Sequence, residues 1–300
     1  MRIVAALGGN ALARRGEPLD ARTQQRNVAM AVRALAPLAR AHQLVITHGN
    51  GPQIGRLALR EQHATDLLPD ALDVLGAETE GMIGYAIERE LRSLPPPRVR
   101  VAAMLTMIEV DAHDPAFLGP DKPIGPVYTC EQARQLAEAH GWTVAPDGHH
   151  WRRVVASPRP LGVLGLDVIE LLLDAGVTVI CAGGGGIPVL RNAAGALAGV
   201  EAVIDKDRAS ALIAAGLRAD LLLLLTDVEG VYPEWPDPRQ APFASVSAAT
   251  LRTHAFAPGS MGPKVEAACE FVERSARPAV IGRLEDAVAM AAGERGTRVV

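Results

Sequence analysis

Short, almost continuously apolar runs alternate along this 300-residue chain with longer stretches whose apolar positions recur at helical spacing. Runs this apolar are typical of strands buried on both faces of a parallel sheet. They lie at residues 2–7, 44–47, 99–105, 177–182, 219–226 and 278–281. The helical patterns lie at residues 20–36, 76–93, 130–139, 162–175, 206–216, 263–275 and 283–292. The alternation predicts an α/β fold in which helices cover both faces of a mainly parallel sheet.

Two local signals refine this prediction. Asp20 is the expected N-cap of the first long helix, and Pro37 is expected to bend or end that helix. Residues 111–160 contain several prolines and break the alternation. Within them the sequence WTVAPDGHHWRRVVA predicts a β-hairpin that turns at Pro146-Asp147-Gly148. We interpret this region as a small excursion from the main sheet, either a lid or an inert surface elaboration.

Composition narrows the classes of function. A net charge of −4 and an aromatic content of 3% argue against a nucleic-acid surface of basic residues and stacking rings. Apolar runs such as residues 221–225 are too short to span a bilayer, and Gly8-Gly9-Asn10 interrupts the apolar N-terminus before it could serve as a secretory signal. The three cysteines are widely spaced and form no CxxC pair, which argues against a disulfide scaffold. These features predict a cytoplasmic protein of one large domain or two closely packed lobes.

Four of the predicted strands run directly into polar, glycine-rich loops. Parallel α/β sheets bind ligands at the carboxyl ends of their strands, so the four loops should meet at one edge. Glycines there let backbone N–H groups approach a polyanion closely. The glycines at 183–186 are not followed by Lys and Ser or Thr, as a P-loop would be, and GNGPQIG has the wrong spacing for a dinucleotide loop. The loops are residues 8–10, 48–53, 183–186 and 227–230.

Only three of the 30 basic residues are lysines, namely Lys122, Lys206 and Lys264. Each lies in a stretch rich in Gly, Pro or Asp. A lysine provides a compact ammonium group where a planar guanidinium would not fit, and contact with a transferring phosphoryl group is one such position. The hypothesis is that the three lysines meet around one phosphoryl group. The alternative is that they are leftovers on a solvated surface.

The aspartates on either side of Lys206 have two interpretations. A carboxylate in the first turn of a helix that begins near residue 206 stabilises its N-terminus. In the other interpretation, Asp207 orients a lysine or reaches a phosphate-bound metal. His48 lies at a strand end, where it could act as a general base, but a structural hydrogen-bonding role is favoured.

Together these motifs resemble those of carbamate kinases, within the amino acid kinase superfamily. Lys122 is the feature that resembles carbamate kinases in particular, whereas Asn10 stands where many relatives of the superfamily have a lysine. Glu80 and Ala86 stand where a neutral polar residue and a large aromatic residue are expected. The matching motifs are LGGNAL (7–12), THGNGPQIG (47–55), TEGMIGY (79–85), PDKPIGPVY (120–128), VVASPRP (154–160), AGGGGIPV (182–189), VIDKDRASALIA (203–214), LLLLTDVEGVY (222–232) and FAPGSMGPKVEAA (256–268).

The resemblance implies a three-layer αβα sandwich around an open, mainly parallel sheet of about eight strands, in a homodimer. Residues 1–200 would form the lobe that holds the acid, including a protruding subdomain at 111–160, and residues 201–300 the nucleotide lobe. The reaction would be reversible phosphoryl transfer between ATP and carbamate, giving ADP and carbamoyl phosphate. In such a family the reaction often forms ATP at the end of arginine or agmatine breakdown.

The resemblance also implies roles for individual residues. Lys122 and Lys206 would neutralise the transferring phosphoryl group, Lys264 would span the β- and γ-phosphates, and Asp207 would orient lysines. Mg²⁺ would bind the nucleotide phosphates with no dedicated cage of protein ligands. Carbamate and the phosphoryl group would be held by Gly8, Gly9, Asn10, Gly49, Asn50 and Gly51. The nucleotide would be bordered by Asp205, Thr226, Asp227, Val228, Tyr232, Met261, Gly262 and Lys264.

Three alternatives remain at this point. Another acid kinase of the superfamily, acting on acetylglutamate, glutamate or aspartate, would need an arginine to clamp a second carboxylate, and none lies in the first two glycine loops. A non-catalytic nucleotide sensor would not need a set of lysines that face a phosphoryl group. A nicotinamide dehydrogenase is disfavoured by the glycine spacing.

Overall fold

The computed structural model describes residues 1–12, 17, 20–61, 70–233, 241–257 and 261–300, with the backbone alone at residues 10, 11 and 61. The strands of these residues, in chain order, are β1 (Arg2–Leu7), β2 (Gln43–His48), β3 (Val101–Ala103), β4 (Met107–Val110), β5 (Lys122–Tyr128), β6 (Thr143–Asp147), β7 (His150–Val155), β8 (Pro160–Val163), β9 (Thr178–Ile180), β10 (Ile187–Arg191), β11 (Leu197–Gly199), β12 (Leu221–Thr226), β13 (Ser245–Val246), β14 (Ala279–Arg283) and β15 (Thr297–Val299). The α-helices are α1 (Gly9–Leu12), α2 (Ala21–Ala41), α3 (Gly51–Glu61), α4 (Leu72–Arg92), α5 (Cys130–His140), α6 (Leu166–Asp174), α7 (Lys206–Gly216), α8 (Ala248–Leu251), α9 (Met261–Ser275) and α10 (Ala287–Ala292).

The largest sheet has eight strands in the order β13-β15-β14-β12-β1-β2-β9-β3. The six strands from β14 to β3 are parallel, and β15 and β13 run the other way. Successive residues of β1 point to opposite faces: Ile3 packs with α2, α4 and α10, and Val4 packs with α6, α7 and α9. The predicted three-layer sandwich around a mainly parallel sheet is confirmed.

Local signals placed some helix ends correctly and others not. Asp20 caps α2 as predicted, since its side chain accepts a hydrogen bond from the Thr23 N–H at 2.8 Å. Of the two expectations for Pro37, that it ends the helix is wrong, because α2 continues to Ala41. A proline inside a helix costs roughly 3 kcal/mol, and the buried side chains of Leu35 and Leu38 beside it offset that cost through packing.

The excursion at 111–160 contains a separate three-stranded antiparallel sheet, β5-β7-β6, with α5 alongside. The predicted hairpin is confirmed, but its turn lies one residue further along the chain. Asp147 pairs with His150, so the turn residues are Gly148 and His149, and Gly148 has a φ of +63°. Glycine is favoured at the first position of a two-residue hairpin turn for this reason. A further sheet, β11-β10-β4-β8, is built from strands that flank this excursion in the chain, with β4 before it and β8, β10 and β11 from its end onward. In the described part of the chain no helix is both long enough and apolar enough to cross a membrane.

Candidate active site

The four glycine-rich loops meet at one edge of the main sheet, as predicted. They follow β12, β1, β2 and β9, which are adjacent parallel strands, so their carboxyl ends lie side by side. The loops touch through their backbones. A Cβ added to Gly8 would lie 2.9 Å from the Leu225 carbonyl oxygen, and one added to Gly49 would lie 3.0 Å from Cα of Gly9. The close packing of these loops therefore depends on glycine.

The loop after β9 forms the wall beside the loop after β2. Gly184 has a φ of +70°, and a Cβ there would lie 2.1 Å from Nδ2 of Asn50. At Gly185 the Cβ would lie 2.3 Å from the carbonyl oxygen of Ile204, the residue before Asp205. This loop was predicted at the edge but was not among the candidate site residues. The run of four consecutive glycines is the signal that could have added it, because such a run suits a backbone in the left-handed region.

The three lysines come together at the start of α7. The Lys206 ammonium donates to Oδ1 of Asp207 at 2.5 Å, and Lys264 donates to Oδ2 of the same carboxylate at 3.0 Å. Lys122 donates to Oδ2 of Asp205. The side chain of Lys206 also runs over the loop after β2, where a Cβ on Gly49 would lie 3.6 Å from its Cδ. The alternative that these lysines are leftovers on a solvated surface is therefore wrong for all three.

The aspartates on either side of Lys206 combine two roles, because Asp205 caps a helix and both aspartates pair with lysines. Asp205 is the N-cap of α7, and its Oδ1 accepts from the backbone N–H groups of Asp207 at 2.9 Å and Arg208 at 3.2 Å. Its other oxygen receives Lys122. Each of the four carboxylate oxygens of Asp205 and Asp207 thus accepts at least one hydrogen bond, and three of them accept it from a lysine. No group of three or more His, Cys, Asp or Glu side chains in the described residues could hold a metal by itself.

Burial and pairing shape the protonation of this cluster. Burial lowers the pKa of Lys206 to about 8, although the Asp207 carboxylate counteracts the shift. Burial would raise the pKa of Asp205, but Lys122, Lys206 and Lys264 together bring it below its usual value. The pKa of Asp207 is lowered in the same way by Lys206 and Lys264. Three cations against two anions leave one positive charge uncompensated at the edge, which suits an anionic ligand.

The residues predicted to border the nucleotide lie on elements next to this cluster. Thr226 ends β12, and its hydroxyl donates to Asp227 Oδ1 at 3.2 Å. Met261 and Gly262 begin α9, one turn before Lys264, and the Gly262 N–H donates to the Ala257 carbonyl oxygen at 2.9 Å. Val228 and Tyr232 follow in the segment after β12.

The predicted acid-side residues occupy the ends of β1 and β2. Gly9 and Asn10 begin α1, and the side chain of Asn10 is outside the described part of the structure. Gly51 begins α3. The Asn50 side chain is buried and donates to Thr79 Oγ1 at 2.8 Å, so it fixes the loop rather than pointing freely toward a ligand.

Glu80 has a structural role that the sequence did not reveal. It lies on α4, 2% exposed, and accepts hydrogen bonds from the Gly183 N–H at 2.8 Å and the Thr106 N–H at 3.3 Å. Burial raises its pKa to about 8. It therefore anchors the glycine loop after β9. On the other side of Gly183, His48 is buried with its Nδ1 3.3 Å from the Gly49 carbonyl oxygen, and burial lowers its pKa to about 4.

Comparisons with known proteins agree with this architecture. The sequence model of the amino acid kinase family matches residues 1–283. The chain is 52% identical to the carbamate kinase of Rhizobium meliloti over 299 residues, covering 99% of this chain and 92% of that protein. It is 50% identical to the carbamate kinase of Haemophilus influenzae, covering 100% and 96%.

The fold also matches solved structures. The carbamate kinase of Giardia lamblia bound to citric acid superposes with a TM-score of 0.94, at 37% identity, covering 100% of this chain and 98% of that one. A structure of the same enzyme bound to AMP-PNP gives a TM-score of 0.90 with the same identity and coverage.

Proposed function

The chain belongs to the amino acid kinase family, and we propose that it is an ATP:carbamate phosphotransferase, which interconverts ATP plus carbamate with ADP plus carbamoyl phosphate. The observation that carries this proposal is the meeting of Lys122, Lys206 and Lys264 on two aspartates beside the glycine loops. Such a set of cations at the carboxyl ends of parallel strands suits a phosphoryl group in transfer. The identity of 50% or more to proteins named carbamate kinase supports the choice of acid.

The chemistry requires positioning and charge neutralisation more than proton transfer. A carbamate oxygen attacks the γ-phosphorus in line and forms the new P–O bond, while the bond to the β–γ bridging oxygen breaks and its electron pair leaves with ADP. The nucleophile is already an anion, so no general base is needed. Burial lowers the pKa of His48 to about 4, so this imidazole is a weak proton acceptor, which is consistent with a reaction that needs none.

We assign the cations to successive parts of the transferring group. Lys122 and Lys206 neutralise the phosphoryl oxygens, and Lys264 spans the β- and γ-phosphates. Asp207 orients Lys206 and Lys264, from both of which it accepts a hydrogen bond. Asp205 borders the nucleotide and also holds Lys122, which donates to it. Backbone N–H groups of residues 8–10 and 49–51 hold carbamate and the phosphoryl group.

Mg²⁺ fits this site as an ion bound by the nucleotide phosphates. Asp205 and Asp207 hold the three lysines, and Asp227, directly after the end of β12, lies on the nucleotide side. When bound, the ion neutralises part of the phosphate charge.

The wider setting follows from the same proposal. Residues 1–200 form the acid side, with the subdomain at 111–160, and residues 201–300 form the nucleotide side. The enzyme works as a cytoplasmic homodimer, and it forms ATP at the end of arginine or agmatine breakdown.

The test is ATP formation by the purified protein from ADP, carbamoyl phosphate and Mg²⁺, coupled to hexokinase and glucose-6-phosphate dehydrogenase. Lys206→Ala protein purified in the same way controls for contaminating kinases. We expect ATP with the wild type alone. Phosphorylation of acetylglutamate, glutamate or aspartate with no turnover of carbamoyl phosphate would refute the proposal in favour of another acid kinase, and nucleotide binding without any turnover would favour a sensor.

A further inference from the structure

Helix α3 and strand β5 approach each other at a pair of glycines. A Cβ added to Gly55 of α3 would lie 1.9 Å from Cα and 2.1 Å from the backbone nitrogen of Gly125 in β5. Cβ atoms do not come this close to other atoms in folded proteins. The atoms in the way belong to the backbone, which cannot rotate aside as a side chain does. The helix and the strand keep this spacing only while residue 55 is glycine.

Gly125 is held in a conformation that favours glycine. Its φ is +73°, and it lies where the pairing of β5 with β7 shifts register between Ile124 and Tyr128. Such a bulge bends the strand and displaces its backbone. The guanidinium of Arg152 donates to the Gly125 carbonyl oxygen at 2.7 Å. The bulge and this hydrogen bond fix the part of β5 that α3 contacts.

A buried apolar cluster surrounds the glycine pair. Ile54 and Ile124, which directly precede the two glycines, are both fully buried within it. Val203, two residues before Asp205, also belongs to the cluster. Buried side chains in contact resist sliding past one another, so we expect α3, β5 and the chain that leads into α7 to shift together. The other members are Ala58, Leu72, Leu75 and Val155.

Helix α3 joins two parts of the proposed active site. It begins at Gly51, directly after the loop that follows β2, and Gly55 lies about one turn later against β5. Lys122 begins β5, three residues before Gly125, and donates to Asp205. The geometry points to Gly55 and Gly125 as positioning residues, whose backbone contact sets where Lys122 stands relative to the loop 49–51 and to Asp205. This inference rests on the proposed carbamate kinase activity.

A double-mutant cycle with Gly55→Ala and Lys122→Ala tests the inference. A displacement of about 1 Å of a positioned group costs on the order of a hundredfold in rate, so Gly55→Ala should lower kcat by about that factor. In the Lys122→Ala background the lysine is already absent, and Gly55→Ala should then change kcat by less than about twofold. The assay is ATP formation from ADP and carbamoyl phosphate with the purified full-length protein.

The matched control is Gly76→Ala in the interior of α4. No atom of another element lies within 4 Å of a Cβ at Gly76, so this variant should keep wild-type activity. If Gly55→Ala does not fold, as judged by circular dichroism, Gly125→Ala takes its place in the cycle. Its Cβ would lie 3.3 Å from Cα of Gly55, and its φ of +73° adds backbone strain, so it should also lower kcat, and that loss should again be absent without Lys122.

Two results would overturn the inference: wild-type kcat in Gly55→Ala, or an equal loss with and without Lys122, which would indicate general damage to the fold. Failure of the proposed function is distinguishable, because the wild type itself would then form no ATP, and the inference would fall with it.

Discussion

We expect Glu80→Gln to make the folded protein more resistant to rising pH. The folded protein keeps the proton of Glu80 up to a pKa of about 8, whereas an exposed glutamic acid in the unfolded chain loses it near 4.5. Unfolding between these pH values therefore releases a proton, and the stability of the wild type falls as pH rises through that window. Glutamine carries no such proton, so the variant lacks this part of the pH dependence.

The two pKa values set the size of the effect. Each pH unit between them is worth about 1.4 kcal/mol, so the free energy of unfolding of the variant relative to the wild type should rise by up to about 5 kcal/mol between pH 4.5 and 8. It should level off above pH 8. The amide nitrogen of the introduced glutamine cannot accept a hydrogen bond from the Thr106 N–H. That loss lowers the free energy of unfolding of the variant by the same amount at every pH, so it does not change the slope against pH.

The assay is thermal unfolding of both proteins at a series of pH values from 5 to 9. One kcal/mol corresponds to roughly 2 °C in Tm for a domain of this size, so the difference in Tm should widen by about 2 to 3 °C per pH unit up to pH 8. Glu78→Gln, at an exposed position of the same helix, is the matched control and should leave the slope unchanged. Parallel curves for wild type and Glu80→Gln would refute the reasoning that Glu80 is protonated in the folded protein.

Three further variants test the site. Lys206→Arg should lower kcat in ATP formation by roughly a hundredfold, because a planar guanidinium cannot take the place of the compact ammonium; a retained rate would mean that charge alone matters. Asp207→Asn removes the carboxylate that keeps the pKa of Lys206 from falling further. The alkaline limb of the pH profile of kcat/KM should therefore move to lower pH. An unchanged pH profile would contradict the role of Asp207 in keeping Lys206 protonated. Gly184→Ala should lower Tm by much more than Gly195→Ala does. Both glycines have a positive φ, but only at Gly184 would an added Cβ collide with another residue. Equal losses of Tm would mean that backbone strain is the only cost.

Central strands and their loops were predictable from the sequence because burial on both faces leaves a continuous apolar run. Residues 2–7 gave the bounds of β1 directly, and α7 begins at Lys206 as its pattern indicated. Short strands such as β10 and β15 were missed, and so was helix α3. The glycines and proline at the start of α3 look like a turn, yet proline is tolerated in the first turn of a helix, where its missing N–H costs nothing.

The site was predictable in its residues but not in its pairings. The rarity of lysine in an arginine-rich chain is visible in the sequence, and so is the short spacing of Asp205 and Asp207. Which carboxylate holds which lysine depends on contacts between residues far apart in the chain, such as Lys122 with Asp205. Glu80 looked only like a departure in packing, because nothing local reveals that its carboxyl group reaches the Gly183 N–H.

The order of strands in the main sheet has a consequence for synthesis on the ribosome. β1 is made first, yet one of its two hydrogen-bonded neighbours, β12, ends at Thr226. At about 5 to 20 residues per second, roughly 10 to 40 seconds pass between the completion of β2 and the arrival of β12. Throughout that interval a strand that is almost wholly apolar has one unpaired edge, which is a template for aggregation. The strand at the centre of the finished sheet is thus one that the growing chain must shield for most of its synthesis.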